Sequence, residues 1–138
     1  MFELHPALQA DTFYLGQFEL CEVLLTNNSS YLWLVLVPRR ALIREIHELT
    51  PADQQQLMIE SSFVSQKMAQ YSQALKMNWA AFGNQVPQLH LHLIARHADD
   101  AAWPQPVWLN PQPHTYDTKK AQALIAELRS VLHLAPEN

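Results

Sequence analysis

The chain has 138 residues, 49% of them hydrophobic and 16% charged, which fits a single globular domain over residues 1–138 and sets aside the disordered and fibrous classes. Nine Lys and Arg against thirteen Asp and Glu leave a formal net charge of -4, and basic residues this few and scattered exclude a protein built to neutralise the phosphates of nucleic acid. Cys21 is alone, Met-Phe-Glu-Leu-His is no secretory leader, and the longest strongly apolar run, Leu32 to Pro38, is far below the ~20 residues of a membrane span, so a cytoplasmic protein without a membrane partner is expected.

The first forty residues read as strands joined by turns. Phe13 to Leu15, Phe18 to Thr26 and Leu32 to Val37 are rich in aromatic, Val and Leu residues, and Gly16 and the Asn27-Asn28-Ser29-Ser30 cluster separate them. The near-continuous apolar character of Leu32 to Val37 predicts a central strand covered on both faces. Thr50 then caps a helix, Pro51 suits its first position, and Asp53 places a negative charge at the positive end of the helix dipole. Leu57, Ser61, Val64, Met68, Tyr71 and Leu75 recur at spacings of three or four, one stripe of an amphipathic helix of about 25 residues. Trp79 to Phe82 and Leu89 to Ala95 read as further strands. Trp103 to His114 holds four of the nine prolines and is predicted to be an extended surface segment. Asp117 or Thr118 caps a last helix with Leu124, Ile125, Leu128, Val131 and Leu132 on its apolar face, and Pro136 stops it. Strands, a long helix, more strands and a C-terminal helix predict an α+β protein, an antiparallel sheet of about five strands carrying helices on one side.

The chemistry concentrates in Gln88-Leu89-His90-Leu91-His92-Leu93-Ile94. Side chains alternate along a strand, so Gln88, His90 and His92 project one way, about 7 Å apart, while the three leucines enter the core. An isolated histidine on a strand is usually structural, but a polar face filled by imidazole is not what a merely solvated strand shows. Two chemistries fit. A His-x-His pair can present two ligands to zinc, iron or copper, with a third from His97, His114, Asp99 or Asp100. Alternatively a neutral imidazole, with one nitrogen fixed by a hydrogen bond, can attack phosphorus through the other. Periodicity alone does not choose between them.

A family resemblance does. The histidine triad (HIT) signature is His-φ-His-φ-His-φ-φ, with φ apolar, and Gln88 to Ile94 matches it at every position but the first. Leu34-Val35-Leu36-Val37-Pro38-Arg39-Arg40 resembles the family's strand ending in a Val-Pro-Lys/Arg run, Glu48-Leu49-Thr50-Pro51 the start of its long helix, and Gly83-Asn84-Gln85 its phosphate-side loop. The resemblance spans roughly residues 13 to 108. It implies a HIT-like fold, a homodimer in which two sheets combine, and a nucleotidyl hydrolase or transferase acting on the α-phosphate of a nucleoside phosphate ester, anhydride or phosphoramidate. By that resemblance His90 is the nucleophile, His92 holds a phosphate oxygen or the leaving group, and Asn84 and Gln85 donate to the same oxygens. No metal or other cofactor is implied.

Three positions depart from the pattern. Gln88 stands where the first triad histidine would be; it is expected to contact substrate as a hydrogen-bond donor but cannot titrate. Asn27 and Asn28 fill the turn where an Asp would hold the ribose hydroxyls, so Asn27 is the candidate ribose contact. Ala41 falls near the place of a further histidine. These departures keep a second reading open, a nucleotide-binding or interaction module that has lost turnover.

Overall fold

The computed structural model describes residues 1–111 and 113–135. Among these, five strands form one antiparallel sheet: β1 Thr12–Gln17, β2 Cys21–Thr26, β3 Trp33–Pro38, β4 Lys76–Ala80 and β5 Leu91–Arg96, in the order β1-β2-β3-β5-β4. The α-helices are α1 Pro6–Asp11, α2 Pro51–Ser72 and α3 Thr118–Val131. No helix among them is long and apolar enough to cross a membrane. The expected α+β architecture is the observed one, and the histidine-bearing strand β5 lies in the sheet interior between β3 and the edge strand β4.

Register explains the two layers. Leu25 opposite Leu34, Leu34 opposite Leu93 and Leu36 opposite Leu91 put one row of leucines on the face covered by α2 and α3, where Leu57, Val64, Met68, Leu128 and Leu132 are buried. Leu24, Val35, Trp33 and Ile94 form the other face, packed with Leu8, Ala102 and Val107. All six residues of β3 are buried, as a strand covered on both faces requires.

Helix α2 starts as its sequence dictates: Thr50 Oγ1 accepts from the Asp53 amide at 3.1 Å, and Pro51 takes the first position. It is 22 residues long, and its buried stripe includes Leu57, Ser61, Val64 and Met68. Leu75 is not in the stripe; Gln73 turns left-handed at φ 53° and ends the helix, and the Leu75 amide already bonds to the Arg96 carbonyl. Glu60 is buried in the same helix because its carboxylate accepts from the amides of Leu20 (2.9 Å) and Cys21 (2.8 Å), donors that the sheet leaves unpaired where β2 begins.

Four further details differ from the sequence reading. Phe18 to Leu20 form a turn rather than the start of β2, closed by the Phe18 amide on the Cys21 carbonyl, and β4 ends at Ala80, short of Phe82. The N-terminal helix α1 has no counterpart among the expected elements; its Leu8 packs on the face opposite α2 and α3, so helices lie on both sides of the sheet. Trp103 to His114 is not simply an extended surface segment, because Val107–Leu109 forms a 3-10 turn and Val107 is buried. Asp117 caps α3 through Oδ1 and the Lys119 amide, 2.9 Å, whereas Pro136, the expected stop, lies outside the described residues.

Candidate active site

His92 is the second residue of β5, and His90 immediately precedes the strand. Their rings meet edge to face, centroids 4.9 Å apart at 72°. Leu91 and Leu93 point into the helix-covered layer, as alternation demands, and so anchor the backbone from which both imidazoles project. His90 is only 7% exposed, which makes its ring part of the wall of the site rather than a solvated side chain.

The hydrogen bonds fix a different tautomer for each ring. His90 Nδ1 lies 2.7 Å from the main-chain oxygen of Gln88. A carbonyl oxygen only accepts, so in the neutral ring Nδ1 carries the proton and Nε2 keeps its lone pair. His92 Nδ1 lies 3.0 Å from Trp33 Nε1. An indole nitrogen only donates, so His92 accepts at Nδ1 and holds its proton at Nε2. Burial, reinforced by the neighbouring His90, pushes the pKa of His92 down to about 4, and the ring is a neutral donor near neutral pH. The pair therefore offers a lone pair on one ring and an N–H on the other.

Aromatic rings fill the space beside them. Trp108 packs edge-on against His92 (5.1 Å), Trp33 (5.2 Å) and Phe82 (4.7 Å). A cavity of about 390 Å³ opens here, walled by Phe82, Gly83, Asn84, Gln85, Val86, both histidines and Trp108. A second, of about 380 Å³, lies on another side of His90, with Arg44, His47, Gln54 and Phe82 in its wall. Both fall in the size range of small-ligand sites, and Phe82, Gly83 and His90 are common to the two. Gly83 makes the connecting loop possible, since its φ of 71° is a conformation other residues adopt only with strain. A larger, mainly apolar cavity of about 620 Å³, between the N-terminal segment and residues 41–44, has Ala41, His5 and Gln88 in its wall and neither histidine of the pair.

The structure thus gathers His90, His92, Asn84 and Gln85 and leaves out the other two candidates. Gln88 is not turned to the histidines: its Oε1 accepts from the His5 amide (2.9 Å) and its Nε2 donates to the Glu3 carbonyl (2.8 Å), so substrate contact gives way to a main-chain clamp. The strand begins only at Leu91, and the alternation read back to residue 88 does not hold there. Asn27 sits at the end of the sheet opposite His90, beyond the Trp33–Ile94 pair, where its Oδ1 accepts from the Tyr116 amide at 2.9 Å; it cannot be the ribose contact of this site.

The metal alternative finds no support in the geometry. Among the described residues no three His, Cys, Asp or Glu side chains cluster to hold an ion. Of the suggested third ligands, Asp100 is bound to Arg96 and His97 Nε2 contacts the Ser72 carbonyl. Arg96 is 1% exposed and is paired with Asp100 and Asn78. Trp33, Trp108 and Phe82 complete the site, and of these Phe82 carried no site role in the sequence. For Trp33 the only signal was that an indole N–H in a buried strand must find an acceptor.

Comparison with known proteins identifies the arrangement. The model of the HIT domain family matches residues 7–99. The chain belongs to the histidine triad family. Solved structures of other histidine triad proteins agree over almost the whole chain. One from Marinobacter aquaeolei VT8 is 48% identical with a TM-score of 0.93, covering 98% of this chain and 99% of its own. One from Bradyrhizobium japonicum is 44% identical with a TM-score of 0.91 (95% and 98% covered), and one from Sinorhizobium meliloti 1021 is 37% identical with a TM-score of 0.90 (94% and 96%). No curated protein matches the sequence. Family membership supports a nucleotide-binding or hydrolase-type module, and His90 and His92 occupy the last two histidines of its signature.

Proposed function

We propose that the protein is a nucleotidyl hydrolase or transferase acting on the α-phosphate of a nucleoside phosphate ester, anhydride or phosphoramidate. The observation that carries this reading is the tautomer of His90, whose Nδ1 is committed to the Gln88 carbonyl while Nε2 keeps the lone pair that can attack. Nε2 of His90 forms a bond to the α-phosphorus as the bond to the leaving group breaks, giving a nucleotidyl-histidine. Water or another acceptor then attacks phosphorus, releases the nucleotide and returns the lone pair to Nε2.

His92 acts as a neutral donor in this scheme. Its Nε2–H holds a phosphate oxygen or the leaving group, and Trp33 keeps the ring in that tautomer. Asn84 and Gln85, exposed in the cavity wall, supply amide donors to the same oxygens, and Phe82, Val86 and Trp108 offer apolar surface to the base. Incubation with an adenylate phosphoramidate and with a dinucleoside polyphosphate is expected to yield nucleoside monophosphate, and quenched samples should carry the adduct on His90 alone. Tight nucleotide binding with neither product nor adduct would replace this reading by that of a binding module, which the loss of a titratable group at Gln88 favours.

We also propose a homodimer built on the exposed edge strand β4. Among the described residues its outer edge pairs with no other strand and is a template for a second copy, and Trp79 (39% exposed) and Met58 of α2 (57%) leave apolar surface at that side. Light scattering at micromolar concentration is expected to give twice the chain mass. A monomer would remove the proposal.

A further inference from the structure

His90 depends on an acceptor that the sheet does not hold. The main-chain oxygen of Gln88 lies three residues before β5, outside the ladder whose last pair is Leu36 with Leu91. The peptide unit that carries it is tied on one side, where the Leu89 amide donates to the Ile43 carbonyl at 3.0 Å. On the other side the hold comes through the Gln88 side chain, which grips the backbone of residues 83 and 85 positions earlier by one accepted and one donated hydrogen bond. That N-terminal segment is in turn fixed: His5 Nδ1 accepts from the Ala7 amide, Pro6 opens α1, and Leu8 buries the helix against the sheet.

We infer that Glu3–His5 is a working part of the nucleophile's support, with Gln88 the positioning residue that connects them. The inference rests on His90 being the nucleophile. The Gln88 amide supplies a donor and an acceptor at once, the pair that a stretch of extended backbone presents, whereas an ionised carboxylate only accepts and cannot match both partners. Releasing the clamp lets the 88–89 peptide turn. His90 Nδ1 then loses its fixed acceptor, and the ring can move its proton to Nε2, the atom that must attack.

The test compares three variants of the full chain by ¹⁵N NMR of the imidazole nitrogens and by steady-state kinetics. Gln88→Ala removes the whole clamp. His5→Pro removes the amide that donates to Oε1 together with the imidazole cap, and the native φ of -56° and ψ of 135° at His5 are ones proline adopts. His5→Ala is the control, since it loses the helix cap but keeps the amide. The wild type and His5→Ala should show His90 protonated at Nδ1, whereas Gln88→Ala and His5→Pro should show a mixture with the Nε2–H form. Turnover in these two should fall about tenfold or more, carried by kcat with KM little changed. An unchanged tautomer in both variants overturns the inference whatever happens to melting temperature, and an unchanged tautomer in His5→Pro alone does so should Gln88→Ala fold poorly. The tautomer is read without turnover, so an inactive wild type would defeat the proposed reaction and leave the clamp separately measured.

Discussion

His90→Ala is expected to lower turnover by ~10³-fold or more while the protein stays folded, because in the proposed reaction the bond to phosphorus is formed by His90 Nε2. Unlike a solvated strand residue, His90 is largely buried, so some loss of stability accompanies the change. The side chain gives up its hydrogen bond to the Gln88 carbonyl and its edge-to-face contact with His92; losing the bond costs about 1 kcal/mol. That is too little to unfold a domain of this size, and a thermal melt on the same sample separates the two effects. His92 does not substitute, since its Nδ1 is taken by Trp33 and its Nε2 carries the proton. Turnover above a few per cent of wild type, in protein that melts normally, removes His90 from the role.

What the sequence revealed about this site follows from how local each feature is. The pairing of His90 with His92 is legible because it needs only the two-residue period of a strand and leucines at 91 and 93 to set the buried face. The start of α2 is legible because Thr50, Pro51 and Asp53 satisfy their own neighbours. Helix α1 is six residues long, too short to display a period, and its one advance sign was Pro6 at a first helical position. The rest is non-local. Gln88 looks like a site residue by alternation, yet a segment 83 and 85 residues away takes its amide. Trp33 meets His92 from 59 positions off, across the β3–β5 register, and Asn27 is carried to the wrong end of the sheet by the order in which β2, β3 and β5 lie side by side. Burial of Glu60 and Arg96 is equally invisible, since a charged side chain is buried only where another segment provides its partners.

Asp100→Ala is expected to cost about 3 to 5 kcal/mol in stability, because it strands a buried charge. Arg96 is 1% exposed, and Asp100 meets it with both oxygens, 2.8 Å from Nε and 2.9 Å from Nη2. The same carboxylate accepts from the amides of His97 and Trp103, so it closes the 97–103 turn onto the end of β5 while Arg96 reaches Asn78 of β4 and the Gln105 carbonyl. That turn leads to the buried Val107 and to Trp108, which packs edge-on against His92, so loosening it should reach the histidine pair as well. The hydrogen bonds from Arg96 are the main reason the Asp100 carboxyl is drawn down to about 2, against an ordinary value near 4. A folded-state pKa below the unfolded one makes its stabilisation complete above the unfolded value and lost as pH falls toward 2, so urea midpoints of the wild type should drop between about pH 4 and 2 and those of Asp100→Ala should drop less. Pairing Asp100→Ala with Arg96→Met should recover much of the loss, since the penalty belongs to the uncompensated guanidinium rather than to the missing attraction. A double variant no more stable than Asp100→Ala alone would show instead that the hydrogen bonds from His97 and Trp103, not the ion pair, hold this turn.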